Sequence, residues 1–180
     1  DQLLNAARSG SPAALTEIYD AYFQPIYGFM RLRVDDPALA EDLASDVFVK
    51  LVEAMRHRAG PRTHLRGWLF GVARNLVNDH YRGQKRWSEQ ALHEGLPGFG
   101  GDLEAHAIHA ASAGQVRAAL SQLTPDHQEV LILRFAQSLS LQETADIMGK
   151  QSNAIKQLQF RAIQALRRAL APSLPEADHG

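Results

Sequence analysis

The sequence predicts an all-α protein built as two helical domains joined by a flexible linker. Three observations carry that prediction. From Leu3 to Tyr81 the apolar residues recur at three- and four-residue spacing, with no sustained alternation of period two. From about Gln115 a second helical stretch begins, and its start and stop signals spell a helix-turn-helix. Between the two, LPGFGG sits in a segment of mixed charge and little periodicity.

In the first half, helices are expected at 2–8, 11–33, 37–56 and 63–82. They are divided where turn formers cluster, at Ser9-Gly10, Asp35-Asp36-Pro37 and Ala59-Gly60-Pro61. Pro25 should kink or split the second helix, because its ring removes a backbone donor and crowds the preceding turn. Residues 86–111 read as the linker, with one short helix near 102–112. In the second half, Thr124 followed by Pro125 is an N-cap with proline at the first helical position, and Ser140 with Glu143 forms a capping box. Gly149 suits the left-handed residue that ends a helix. The expected order is helix 125–136, short helix 140–148, a tight turn, and a long helix 152–170. The domains are therefore 1–85, the linker 86–111, the domain 112–172, and a tail 173–180.

Bulk composition narrows the function. The chain has 180 residues, 45% of them hydrophobic, enough for one good core or two small ones. No cysteine is present, which removes disulfides, zinc-cysteine clusters and thiol catalysis and fits a reducing compartment. No run approaches the roughly 18–20 apolar residues of a membrane span, and the polar N-terminus lacks a signal-peptide core, so a cytoplasmic protein without membrane insertion is expected. The chain starts at Asp1 without methionine, consistent with a trimmed leader. The eight histidines offer no zincin-type pair, and His106 with His109 beside Glu104 is a poor metal site. Without a phosphate loop or nucleophile elbow either, neither an enzyme nor a cofactor is expected.

The net charge of -1 conceals segregation by sign. Residues 150–168 hold five Lys or Arg and no acid, whereas 125–148 hold four acids and one arginine. In the last helix Ile155, Leu158, Ala162, Ala165 and Ala169 share one side, while Asn153, Lys156, Gln157, Phe160, Gln164 and Arg167 share the other. Basic residues neutralise phosphates, and Gln or Asn near a helix start pairs with base edges in a major groove. Phe160 on that side meets a thymine methyl, packs on a partner, or covers the edge of the core.

The first half has its own basic end. Residues 62–86 carry six Lys or Arg against Asp79 alone, whereas Asp35, Asp36, Glu41, Asp42, Asp46 and Glu53 give the 37–56 region an acidic cast suited to a basic protein partner or merely to solvation. A helical wheel over 65–82 puts Leu65, Trp68, Leu69, Val72, Ala73, Leu76 and His80 on a buried side. Gly67, Gly71, Arg74, Asn75, Asn78 and Arg82 lie on the other. Each glycine costs roughly 1 kcal/mol of helix propensity relative to alanine. Such positions either let a nucleic-acid backbone approach closely or admit a neighbouring helix.

DPALAEDLASDVFVKLVEA (36–54) followed by HLRGWLFGVARNLVNDHYR (64–82) resembles conserved region 2 of bacterial sigma-70 family sigma factors of the extracytoplasmic-function (ECF) group. LSQLTPDHQEVLILRFAQSLSLQETADIMGKQSNAIKQLQFRAIQALRR (120–168) is similar to region 4 of the same group. The resemblance covers most of the chain, in the right order. It implies a non-enzymatic initiation factor that binds core RNA polymerase, through the β′ clamp helices and the β flap, and directs it to promoter DNA. Carried over residue by residue, Glu41, Asp42, Asp46 and Phe48 belong to the polymerase-docking surface, although Phe48 also suits a core position. Arg62, His64, Arg66, Arg74, Asn75, Asn78 and Arg82 would meet the melted minus-10 element, where unstacked bases present their edges. Gln151, Ser152, Asn153, Lys156, Gln157, Phe160 and Arg161 would enter the major groove of the minus-35 element. The linker would thread the polymerase. Common members carry threonine and arginine where this chain has Ala154 and Leu158, and often serine in place of Gln151, while Lys156 and Arg161 match. An anti-sigma factor is the further partner implied. The alternatives are a sigma-like signalling mimic that binds an anti-sigma factor without touching DNA, and an ordinary helix-turn-helix regulator; the mimic would lose the basic surfaces, and the regulator leaves the first half unexplained.

Overall fold

The structure is a computed structural model that describes the backbone of residues 2–91 and 109–170 and the side chains of 2–84 and 114–170. Eight helices follow one another: α1 (Gln2–Arg8), α2 (Pro12–Arg31), α3 (Pro37–Arg56), α4 (Leu65–Ala91), α5 (His109–Ser121), α6 (Pro125–Leu131), α7 (Leu141–Met148) and α8 (Ser152–Leu170). No strand occurs among the described residues.

Three of the helices start the same way, with a short polar N-cap and proline in the first turn. Ser11 accepts from the Ala14 amide, Asp36 from Ala38 and Thr124 from His127, ahead of Pro12, Pro37 and Pro125. At α7 the capping box is complete: the Glu143 amide donates to the Ser140 hydroxyl at 3.1 Å, and the Ser140 amide donates to Glu143 Oε2 at 2.8 Å. Gly149 ends α7 at φ 63, the left-handed conformation that glycine adopts without a Cβ penalty.

Three expectations are corrected. α2 is not split at Pro25, because Ile18 on one side of the proline and Ile26, Phe29 and Met30 on the other all anchor in the same core. That burial outweighs a local cost of about 3 kcal/mol. α4 continues nine residues beyond its expected end at 82, through Gln84, Lys85, Arg86, Glu89 and Ala91, which are good helix formers; Gly83 alone does not stop it. Helix 125–136 is α-helical only to Leu131; Ile132–Ala136 form a π turn in which the Gln137 amide reaches back to the Ile132 carbonyl at 2.9 Å. Of the short helix expected near 102–112, residues 102–108 lie outside the described residues and the remainder begins α5.

α1 to α4 enclose one core, in which Phe29 and Phe70 meet edge to face at 5.8 Å among Ile18, Ile26, Leu51, Leu69 and Val77. α5 to α8 enclose a second, in which Ile155, Leu158 and Ala162 of α8 pack with Val130, Leu133, Leu139 and Met148. The two join into one buried cluster because α7 lies on α4 and the π turn touches α2. On α4 the buried side includes Phe70 and Val77, which the helical wheel left out, while His80 is only half-buried.

Ser140→Ala should cost about 1 kcal/mol in denaturant unfolding, by removing the cap of α7. Hydrogen bonds from Ser140 hold the Glu143 carboxyl below its ordinary range. A depressed carboxylate contributes stability above its unfolded pKa and loses it as pH falls through the folded value. The gap between wild type and Glu143→Gln should therefore close on acidification.

Candidate nucleic-acid interface

The helix-turn-helix presents its expected face. Lys156, Gln157, Phe160 and Arg161 of α8 are exposed, with Gln151 and Asn153 at its start, and no acidic side chain interrupts them. Ser152 is half-buried, its hydroxyl 2.9 Å from Gln142 Oε1, so it ties α8 to α7 as well as edging the surface. Phe160 is 65% exposed, which removes the reading in which it covers the core edge. From behind, Arg134 steadies α8 by donating from Nε to Gln159 Oε1 at 2.9 Å while also bonding the Leu139 carbonyl.

The second basic surface is arranged differently. Arg62 and His64 are exposed on the segment before α4, where Arg58 and His64 hold positive φ of 56 and 54, an uncommon conformation for residues with side chains. On α4 itself two residues of the polar side reach the other domain. Arg66 donates to the Gln137 carbonyl at the end of the π turn and lies 5.9 Å over the Phe70 ring. Arg74 pairs with Glu129 of α6. Asn78 accepts from Arg33 at 3.4 Å, and Arg82 pairs with Asp79 at 2.6 Å. Asn75 stays exposed. Of the seven residues expected at a melted strand, Arg66 and Arg74 are engaged across the domain boundary, Asn78 and Arg82 are bonded within the first domain, and Arg62, His64 and Asn75 are exposed.

At the centre of that boundary is a buried ionic cluster that the sequence did not reveal. Glu129 and Arg33 side chains are each 2% exposed, with Arg33 Nη1 4.0 Å from Glu129 Oε2 and Arg74 on the other carboxylate oxygen. Burial pushes the Glu129 carboxyl up against the pull of Arg74 and Arg33, and burial lowers the Arg33 guanidinium despite Glu129. Tyr81 completes the arrangement by donating its hydroxyl to the Arg33 carbonyl. In sequence Glu129 is one of four acids in its stretch and Arg74 a candidate strand contact; only the pairing of distant elements exposes the cluster.

Gly67 and Gly71 line a cleft whose other wall is Gln142, Glu143, Asp146 and Ile147 of α7, yet a Cβ on either glycine would meet nothing within 4 Å. Close helix packing therefore does not require them in this arrangement.

On the far side of the first domain, Glu41, Asp42 and Asp46 are exposed along α3. Phe48 is only 8% exposed: it is a floor, packed 4.9 Å from Tyr19, which at 41% exposure is the ring available to a partner. Tyr19 in turn stacks on Phe23 at 4.9 Å.

Breaking one member of a buried ion cluster leaves the rest uncompensated, at a cost of about 3–5 kcal/mol. Glu129→Ala should therefore release the two domains, raising the radius of gyration in small-angle scattering while circular dichroism keeps its helical signal. Replacing Arg33, Arg74 and Glu129 together by leucine should restore the compact form.

Among the described residues no helix is long and apolar enough to cross a membrane. Residues 18–86 match the family description Sigma-70 region 2, and residues 119–168 match Sigma-70, region 4. The ECF RNA polymerase sigma factor BldN of Streptomyces coelicolor is 34% identical over 171 residues, covering 94% of this chain and 65% of that relative. The chain thus spans just under two thirds of the length of BldN. The ECF sigma factor SigD of Mycobacterium tuberculosis is 30% identical over 175 residues, covering 93% of this chain and 82% of SigD. The fold is shared by the sigma factor RpoE of Bartonella quintana, solved with the anti-sigma factor NepR, at a TM-score of 0.69, 22% identity and coverage of 87% of this chain and 96% of that one. Two matched regions in the right order, on helices that place a basic helix-turn-helix beside a basic α4, have one family in common: the chain belongs to the ECF group of sigma-70 family RNA polymerase sigma factors.

Proposed function

We propose that the chain is a transcription initiation factor that binds core RNA polymerase in the cytoplasm and directs it to promoters through minus-10 and minus-35 elements. The observation that carries this reading is the acid-free face of α8, with Lys156, Gln157, Phe160 and Arg161 exposed on a rigid helix-turn-helix. Its cations neutralise phosphates while its amides read base edges. Residues 1–85 form the polymerase- and minus-10-binding domain, and residues 112–172 the minus-35-binding domain. Arg62, His64, Arg66, Arg74, Asn75, Asn78 and Arg82 meet the melted strand once α7 has moved off α4. Glu41, Asp42, Asp46 and Tyr19 face the polymerase, over the Phe48 floor. An anti-sigma factor is the regulatory partner, as NepR is for RpoE.

This role requires the domains to separate. Arg74 cannot bond Glu129 and a nucleic-acid strand through the same guanidinium edge. Core polymerase supplies the opening, because binding energy at two separated sites offsets the loss of the clasp.

Run-off transcription from genomic DNA with purified chain and core polymerase should yield start sites that share one bipartite motif; no initiation at any promoter would defeat the proposal. Lys156→Ala should weaken duplex minus-35 binding with a salt slope shallower by about one. Gly71→Ala should stabilise the free chain by up to about 1 kcal/mol, since its Cβ finds open space, yet slow open-complex formation by crowding the strand.

A further inference from the structure

Beside the ionic cluster the two domains enclose a cleft of about 700 Å³, formed by the end of α2, α4, α5 and the start of α6. Four guanidiniums line it: Arg33, Arg74 and Arg82 from one domain, Arg117 from the other. Among the described lining residues one carboxylate, Asp35, stands with them, exposed on the rim. Behind the lining, Glu129 serves Arg74 and Arg33 together, Asp79 is taken by Arg82, and Asp126, within electrostatic reach of Arg33, is taken by Lys150. The positive excess thus belongs to the lining itself.

Arg33 is buried; among the described residues its Nε has no hydrogen-bond partner and its Nη1 has only the 4.0 Å ion pair with Glu129, while Arg117 Nε is buried without a hydrogen-bond partner. Buried guanidinium N–H groups left without hydrogen bonds are costly, and a cleft lined by two such arginines favours an acceptor of matching charge. The remaining walls carry the Asn75, Asn78 and Gln128 amides and the half-exposed Tyr81 ring, beside Leu32, Leu123 and Pro125. A cleft of this size suits a small organic ligand, and its mixture of guanidiniums, amides and one aromatic face suits a phosphorylated one.

The geometry points to a binding site for a phosphate-bearing ligand of about nucleotide size, held between Arg33 and Arg74 on one side and Arg117 on the other. Because its ligands come from both domains, an occupant binds the closed arrangement and disfavours the open one. The proposal deepens the promoter reading only in that last consequence, since Arg74, Asn75, Asn78 and Arg82 would be shared with the strand. Binding itself is independent of it.

The test uses the free chain without polymerase or promoter, so its failure would leave the promoter reading standing. Titration calorimetry with inorganic pyrophosphate and with ADP, in magnesium-free buffer at 0.15 M ionic strength, should give saturable one-to-one binding with a Kd below about 1 mM. Tighter binding of ADP than of pyrophosphate would place the base on Tyr81; equal binding would define an anion site alone, and both support the proposal. Arg33→Gln removes the buried donor but risks the fold. Arg117→Ala lies on α5 outside the promoter surfaces, and should weaken binding about tenfold while leaving transcription unchanged and the free chain no less stable. Absence of saturable binding by both probes, or equal affinity in wild type and Arg117→Ala, would overturn it.

Discussion

One buried carboxylate holds the two halves of this molecule in register. Glu129 lies in the second domain, and both of its guanidinium partners, Arg33 and Arg74, lie in the first. A charge so deeply buried survives only beside its partners, so the cluster ties α6 to α4 and the end of α2, alongside the apolar contact of α7 with α4. The π turn adds to this constraint, because it sets the Gln137 carbonyl where Arg66 reaches it. Tyr81 braces the Arg33 backbone from the other direction. A buried ion cluster is a poor source of net stability but a sharp source of specificity: one arrangement satisfies it, and slippage leaves charge exposed to apolar surroundings.

That constraint treats the two nucleic-acid surfaces unequally. The face of α8 is open whatever the clasp does, whereas on α4 Arg66 and Arg74 are held by the π turn and α6 and the glycines face α7, with Asn75 and Arg82 left exposed. In the proposed role, the free chain can meet a minus-35 duplex but offers a melted strand an incomplete surface, with Arg66 and Arg74 already engaged, which suits the physics of each step. Duplex recognition needs only an exposed helix. Capture of unstacked bases is useful only after polymerase has opened the DNA, so masking that surface until polymerase separates the domains suppresses nonproductive binding of single strands and RNA. The shared arginine-rich cleft then makes the closed form responsive to anions, since any ligand that spans it adds to the clasp.

Much of this was legible in the sequence where local chemistry decides. The prolines behind Ser11, Asp36 and Thr124, the capping box at Ser140 and the glycine at 149 each report on a few neighbouring residues, and the helices begin and end where they indicate. Acid-free spacing likewise marked the open face of α8. Where long-range packing decides, the sequence was silent or misleading. Pro25 reads as a break because its local cost is visible and the core that absorbs it is not. Phe48 suits either a docking surface or the core in sequence, and the crossing of α2 over α3 decides it by laying Tyr19 against it. Above all, Glu129 stands in an acidic stretch beside Asp126 and looks like helix solvation; nothing local tells that its partners lie far upstream.

The central claim is that the clasped arrangement is the free state and that polymerase opens it. The chain lacks cysteine, so Asp20→Cys and Arg168→Cys, both at exposed positions, admit one spin label on each domain. Pulsed dipolar spectroscopy should give a single narrow interlabel distance in the free protein, replaced by a longer one when core polymerase is added. A broad distribution in the free chain, or a distance unchanged by polymerase, would contradict the account.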